Sequence, residues 1–480
     1  MDRRQFIRAG VFAAGGTTAF PLIAEAAAGQ AAGTSPYGSL DGIAPDANGV
    51  ILPPGFTSRI VAVAGEPVGD TGYEWLIFPD GAATFDDGEG GWYHTVNSEV
   101  FVPGAAGVSA IHYDADANII DAYRILEGSI ANCGGGPTPW GTFLSGEEVF
   151  GGLGFLWECD PTGETEAVAH AAMGLFTHEA AAVDPVRRQV YQTEDLPDGR
   201  LYRFTPDAYP DLRAGLLEVA AVADDGTVTW IEVPDPSAAD TPTRLQVAES
   251  TAFLGAEGIW YHEDRIFFST KFDNVIHAID LVNMVHSVIY AADPDDVDAG
   301  TAVLSGVDNV TVDGGSGDIY VAEDAGNMEL VIITPEGEVA PFVRLVDQET
   351  SEMTGPVFNP RRDRLYFSSQ RAPSPRPINE INPAMDSVEP FGGRTYEITG
   401  PFRGRIEDPP EETTTTTAAA VPTTSAAPTT VPSPVTTLAR IVDRSGSDDG
   451  TNTGVVVGAG VAAALAIGAG VVGFRSRKNR

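Results

Sequence analysis

Residues 181–195 read AAVDPVRRQVYQTED: an apolar strand, an Asp-Pro turn, then an aromatic-bearing strand that ends on two acids. Strand-favouring alternation on either side of turn residues is the mark of a β-hairpin. The same pattern returns as VTVDGGSGDIYVAED at 310–324, PVFNPRRDRLYFSSQ at 356–370 and GIWYHEDRIFFSTK at 258–271. A looser copy with a longer turn leads from Phe78 through Trp92 and Tyr93 to Asn97 and Glu99, and a further candidate strand runs from Gly141 to Ser145 and ends at Glu147. Units of this kind recur roughly every 40 to 75 residues, the spacing of propeller blades with variable loops, and long helical periodicity is nearly absent. The chain therefore reads as all-β, a six-bladed β-propeller over residues 40–407. A β-sandwich is the alternative, but it leaves the likeness between units unexplained.

A propeller gives the repeated acids a meaning, because equivalent ends of its inner strands converge on one central channel. Glu194 follows Tyr191 by the same three positions that separate Glu323 from Tyr320, and Glu99 and Glu147 end comparable strands. Asp195, Asp324 and Glu148 stand directly after three of these. His178 with Glu179, then Glu257, then Asp308 with Asn309 each lead into an apolar strand and are expected near the channel mouth. A lone strand-end Glu is usually solvated, and a lone His is more often structural. Carboxylates that converge from several blades repel one another unless cations neutralise them. Such a set suits hard cations such as calcium.

One stretch adds a softer donor. Residues 132–148, NCGGGPTPWGTFLSGEE, join Cys133 to a triple glycine, two prolines and the pair Glu147–Glu148. A thiolate beside carboxylates favours a transition metal. The competing readings are a Gly/Pro-rich turn with a buried cysteine, or a disulfide between Cys133 and Cys159, the chain's two cysteines, in an oxidising compartment.

Both ends read as something other than propeller. Residues 1–28 carry a twin arginine, Arg3–Arg4, then an Ala/Gly-rich run and small-residue sites ending at Ala26 and Ala28, the pattern of a twin-arginine export signal. Residues 408–453 are rich in Thr, Ala, Pro and Ser and read as a disordered stalk. Residues 454–474 form an uncharged apolar run long enough to span a bilayer, and the basic tail 475–480 places the C-terminus in the cytoplasm. The expected partners are thus the twin-arginine export machinery and a cell membrane, with the propeller displayed outside. The net charge of −40 excludes nucleic-acid binding, which needs clustered Lys and Arg.

The run NCGGGPTPWGTFLSGEE, followed by THEAAAVDP, YQTED, VDNVTVD and YVAED, resembles the PhoX-type alkaline phosphatases over about residues 40–402, and the likeness extends to the export signal. The resemblance implies a six-bladed propeller that hydrolyses phosphomonoesters, a small phosphorylated substrate, and iron(III) and calcium as cofactors. It implies that Cys133 ligates iron, that Glu179 and Glu257 are carboxylate ligands, and that Glu147, Glu148, Glu194, Asp195, Glu323 and Asp324 complete the metal shell, to which the strand positions of Glu99 and Asp308 add those two acids. Asn97 would take the place of the substrate-site asparagine; His178, by its pairing with Glu179 in the sequence, is a further candidate for a direct role. Two departures stand out. Ser98 replaces a histidine, and Gly255 stands where phosphatase members have an arginine that grips phosphate with two parallel bonds. Arg200, Arg244 and Arg371 are the candidates to replace its charge. The alternatives are a calcium-dependent lactonase or phosphotriesterase-like hydrolase, and a non-catalytic binding propeller whose metals only stabilise it.

Overall fold

A computed structural model describes residues 33–406, apart from 152 and 325. The expected signal, stalk, membrane helix and basic tail lie outside these residues, as does 407, the last residue of the propeller range. Among the described residues no helix is long and apolar enough to cross a membrane.

The described chain folds into six antiparallel sheets of four or five strands, arranged as the blades of a propeller. Helix is confined to Pro294–Ala299, the single turn Ile378–Ile381 and two 3-10 turns. The six innermost strands are Pro79–Asp86, Asn132–Pro137, His178–Asp184, Ala256–His262, Val307–Val312 and Met353–Phe358, for blades 1 to 6 in that order. Each abuts the next, and the sixth abuts the first, so the ring is closed. The hairpins legible in the sequence are the first hairpin of each blade. In the third, the Asp184 carboxylate accepts the amides of Val186 and Arg187 at 2.8 and 3.0 Å, the local bonding that makes Asp-Pro a turn.

The core is not one mass but six wedges, one between each pair of neighbouring blades, with a smaller seventh cluster around Ile77, Val100 and Ile378. Phe143 and Cys159 pack with Phe85 and Val108 between blades 1 and 2. Tyr191 and Ile259 share the wedge between blades 3 and 4. Tyr320, Phe342, Phe367 and Tyr396 fill the one between blades 5 and 6. Burying a side chain of this size stabilises by about 1.5–3 kcal/mol, so every blade depends on both neighbours. Ring closure uses the N-terminal part of the fold. Thr57–Val63 is the outermost strand of blade 6, where Thr57 pairs with Thr399 and Val63 with Arg394. Val50–Ile51 likewise adds an outer strand to blade 5.

Every inner strand breaks register once near its start. The shift falls between Pro79 and Ala82, Asn132 and Gly135, His178 and Ala181, Ala256 and Ile259, Val307 and Val310, and Thr354 and Val357. Such bulges re-aim a side chain at barrel rims and active sites. Here they hold Asp80, Cys133, Glu179, Glu257 and Asp308, while blade 6 offers Gly355.

Candidate metal centre

The bulge residues bring five blades to one place. Asp80, Glu99 and Cys133 offer ligand atoms that all lie within 4.8 Å of one another, as do Cys133, Glu148 and Glu179, and again Glu179, Glu257 and Asp308. The three groups overlap at Cys133 and Glu179, so they form one continuous chain of donors.

A second ring comes from the residue just past each second strand: Glu99, Glu148, Asp195, Lys271, Asp324 and Gln370. Each of their amides donates to the carbonyl just before the inner strand of its own blade, namely Phe78, Ala131, Thr177, Gly255, Gly306 and Glu352, at 2.7 to 3.3 Å. Gln370 ties two donors together, its Nε2 donating at 2.7 Å to both Asp80 and Glu99. Lys271 Nζ lies 2.8 Å from Asp195 Oδ2 and also contacts Glu257 Oε1. Asp324 acts electrostatically on Asp308 and Glu352, and Arg371 pairs with Glu352 at 2.7 Å.

Strand alternation divides the acid pairs. Glu147, Glu194 and Glu323 turn into their blades. Glu147 accepts the Phe155 amide at 3.0 Å, Glu194 the Tyr202 hydroxyl at 2.8 Å, and Glu323 the amides of Ser305 and Glu329 at 3.0 and 3.1 Å. These three hold loops and strands, whereas Glu148 joins the donor set, Asp195 pairs with Lys271 beside it, and Asp324 lies in its field. Burial pushes Glu194 up to about 7 and Glu323 to about 8.

His178 also stands apart from the donor groups. Its ring stacks on Phe176 at 3.7 Å, its Nε2 meets the Gly174 carbonyl at 3.0 Å, and burial pulls it down to about 3. Asn97 is buried too, and its amide is already engaged. Its Nδ2 donates at 2.6 Å to the carbonyls of both Cys133 and Gly134, and its Oδ1 accepts from Ser145 at 2.8 Å. Thr193 does the same for the Glu257 carbonyl at 2.5 Å, and Ser269 for that of Asp308. In three blades, then, a polar side chain of one blade pins the backbone of the next blade's donor.

The triple glycine answers to this packing. Gly134 to Gly136 lie in the inner strand, Gly134 within its bulge, and the neighbouring inner strand presses against Gly134 and Gly136. A Cβ on Gly134 would lie 2.7 Å from both the carbonyl and the carboxylate of Glu179, and one on Gly136 would overlap the Ala181 carbonyl. Both cysteines are free, so there is no disulfide between them: Cys133 Sγ lies 3.6 Å from Asp80 Oδ2, while Cys159 sits in the wedge beside Phe143.

Electrostatically the site is unbalanced. Desolvation, and then the neighbouring acids, hold Asp80, Glu148, Glu179 and Asp308 well above the usual carboxylate range. Desolvation does the same to Glu257 and Glu352 despite Lys271 and Arg371, and it raises the Cys133 thiol, helped by Asp80. Glu179 is fully buried and neither of its oxygens has a hydrogen-bond partner. An uncompensated buried carboxylate is costly. A thiolate and carboxylates in overlapping groups of three fit metal ions of mixed hardness, so the donor set suits the metals that the sequence leads one to expect.

Of the charged groups at this end, Asp80, Glu352 and Lys271, like the amide of Gln370, escaped the sequence reading. Asp80 had a signal: Pro-Asp-Gly-Ala opens its strand as His-Glu-Ala-Ala opens that of Glu179. Arg244 bonds Asp198 at 3.0 Å and Arg200 bonds Ser250 at 2.7 Å, leaving Arg371 as the candidate arginine that reaches the donor ring's electrostatic field. Phe101 and Phe150, each two residues beyond a donor, stack 5.5 Å apart and stay exposed.

Residues 92–287 match the family of alkaline phosphatase PhoX. A solved structure of Pseudomonas fluorescens PhoX, in complex with the transition-state analogue vanadate, is 17% identical, with a TM-score of 0.60 over 78% of this chain and 99% of that one. That likeness establishes the propeller fold. Looser likenesses join a Xanthomonas campestris gluconolactonase (12% identity, TM-score 0.41, 68% of this chain and 88% of that one) and an Agrobacterium tumefaciens regucalcin, a calcium-binding protein (15%, 0.36, 73% and 96%). No curated protein matches the chain.

Proposed function

We propose that this chain, whose residues 92–287 match the family of alkaline phosphatase PhoX, hydrolyses phosphate monoesters at a metal centre in the channel mouth of its propeller. The observation that carries the reading is Glu179. It is a fully buried carboxylate without a hydrogen-bond partner, at the junction between the Cys133–Glu148 and Glu257–Asp308 donors.

Cys133, Glu148 and Glu179 would hold iron, and the outlying acids Asp80, Glu99 and Asp308 would hold calcium. Bound there, these ions supply positive charge where negative charge grows on the phosphoryl oxygens in the transition state. The chain's own residues do the positioning. Asn97, Thr193 and Ser269 fix the donor backbones, and Gln370 sets the spacing of Asp80 and Glu99. Rigid donors of this kind need no reorganisation during reaction, which is where such sites gain most. The stacked Phe101 and Phe150 offer an apolar rest for the organic part of the ester. With a cleaved export signal and a retained C-terminal helix, the enzyme would work at the outer face of the cell membrane.

The test is turnover of an aryl phosphate by the purified chain supplied with iron and calcium, beside a lactone control. Phosphate release that is lost on chelation and in Glu179→Gln supports the reading. Full metal occupancy with no phosphate release overturns it, and lactone turnover in its place would assign the site to the other hydrolase class.

A further inference from the structure

Lys271 and Lys478 are the chain's two lysines, so among the described residues Lys271 is the single one. It occupies the position at which blades 1, 2, 3 and 5 carry Glu99, Glu148, Asp195 and Asp324. At that position, therefore, blade 4 reverses the charge. The ammonium is held between Asp195 of blade 3 and Glu257 of its own blade, and both acids are buried.

We propose that Lys271 is a cation built into the centre: its ammonium fills the place between Glu257 and Asp195 that an exchangeable metal ion would otherwise take, and so limits how many ions the channel holds. The inference rests on the cation-binding reading of the acid ring. Three observations support it.

The first is the donor pattern. Glu179 has no partner on either oxygen, whereas Glu257, its neighbour in the same group of donors, already meets a positive charge. The second is the choice of residue. Every other basic side chain among the described residues is arginine or histidine, and arginine's wide planar fork pairs edge-on with one carboxylate. Lysine presents a compact charge that two carboxylates from different blades can share, much as they would share an ion. The third is the anchorage. The Lys271 amide donates to the Gly255 carbonyl at 2.8 Å. Gly255 has a φ of +68°, and a Cβ there would press on the Phe272 ring at 2.7 Å and on Lys271 Cγ at 3.0 Å. Glycine at 255 thus keeps open the path that the lysine stem follows.

Two measurements on the full chain test this. Lys271→Gln frees Glu257 and Asp195, and elemental analysis after loading with calcium and iron should then find one more calcium ion per chain than in the wild type. In the wild type itself, acylation of Lys271 by an amine-directed reagent, read by peptide mass spectrometry, should proceed no faster in metal-loaded than in chelator-treated protein, because no ion displaces the ammonium. Unchanged metal content in a folded Lys271→Gln protein, or acylation that rises on metal loading, overturns the inference and leaves the metal centre standing. Absence of bound ions from both proteins would overturn the metal reading and this inference with it.

Discussion

The Asn97 side chain donates to the Cys133 carbonyl at 2.6 Å, so blade 1 holds the backbone that carries the thiol of blade 2. This relationship makes Asn97 a positioning residue. Asn97→Ala leaves the Cys133 and Gly134 carbonyls without their buried donor and lets the thiol drift. Loss of an orienting group around a metal ligand typically costs about 10–100-fold in metal affinity. Titration of the stripped variant with iron, compared with wild type, should show a loss of that order while the circular dichroism remains that of a β-protein.

The two cysteines should separate cleanly. Cys133→Ser replaces a soft donor with a hard one, so it should lower iron content and phosphatase activity together. Cys159 packs in an apolar wedge with Phe143 and Val108. Cys159→Ser buries a hydroxyl there at a cost of about 1–3 kcal/mol, with metal content unchanged. Denaturant melts read beside elemental analysis check both outcomes; iron loss in Cys159→Ser would contradict the assignment.

Metal removal should destabilise the fold, because it leaves the acids of five blades to repel one another. Glu179→Gln should reverse part of that effect. Chelator-stripped Glu179→Gln should melt above the stripped wild type, since desolvating an unpaired charge costs on the order of several kcal/mol. With metals restored the order should invert, the wild type regaining stability that the variant cannot. Calorimetry on the four samples decides it.

His94 supplies a pH dependence away from the donors. Its ring is buried beside Tyr366, neither nitrogen has a partner, and burial pulls it down to about 3. An unfolded histidine titrates near 6.5, so below that pH the unfolded chain takes up a proton that the folded chain refuses. Stability is therefore lost as pH falls from about 6.5 toward 3, by about 2 kcal/mol at pH 5 for this one ring, at roughly 1.4 kcal/mol per unit. His94→Phe should remove that part of the slope, stabilising the protein more at pH 5 than at pH 8 in paired urea melts.

The hairpins around Asp184, Asp313 and Asn359 were legible because turn chemistry and strand alternation are local. So were Cys133, Glu179, Glu257 and Asp308, which sit against recognisable strands. What stayed hidden depends on which way a side chain turns. Glu147 and Glu148 look alike in sequence, yet one faces the Phe155 amide inside its blade and the other joins the donors. The bulge that aims Asp80 at Cys133 has no composition of its own, and Lys271 reads as an ordinary strand-end lysine until Asp195 arrives from the neighbouring blade. The triple glycine, which suggested a turn, is strand stripped of side chains to admit the backbone of blade 3.

The pairing of Thr57 with Thr399 has a consequence for how this gene product could be rewired. Because the first and last long strands are neighbours in one sheet, the two chain ends of the propeller lie side by side, on the opposite side of the ring from Glu179. The order of blades in the sequence is then a convention, and the circle itself has no start. A short linker could join those ends and new termini could be opened in an exposed turn, such as the one at Val186, giving a permuted chain that builds the same circle of donors from a different first residue.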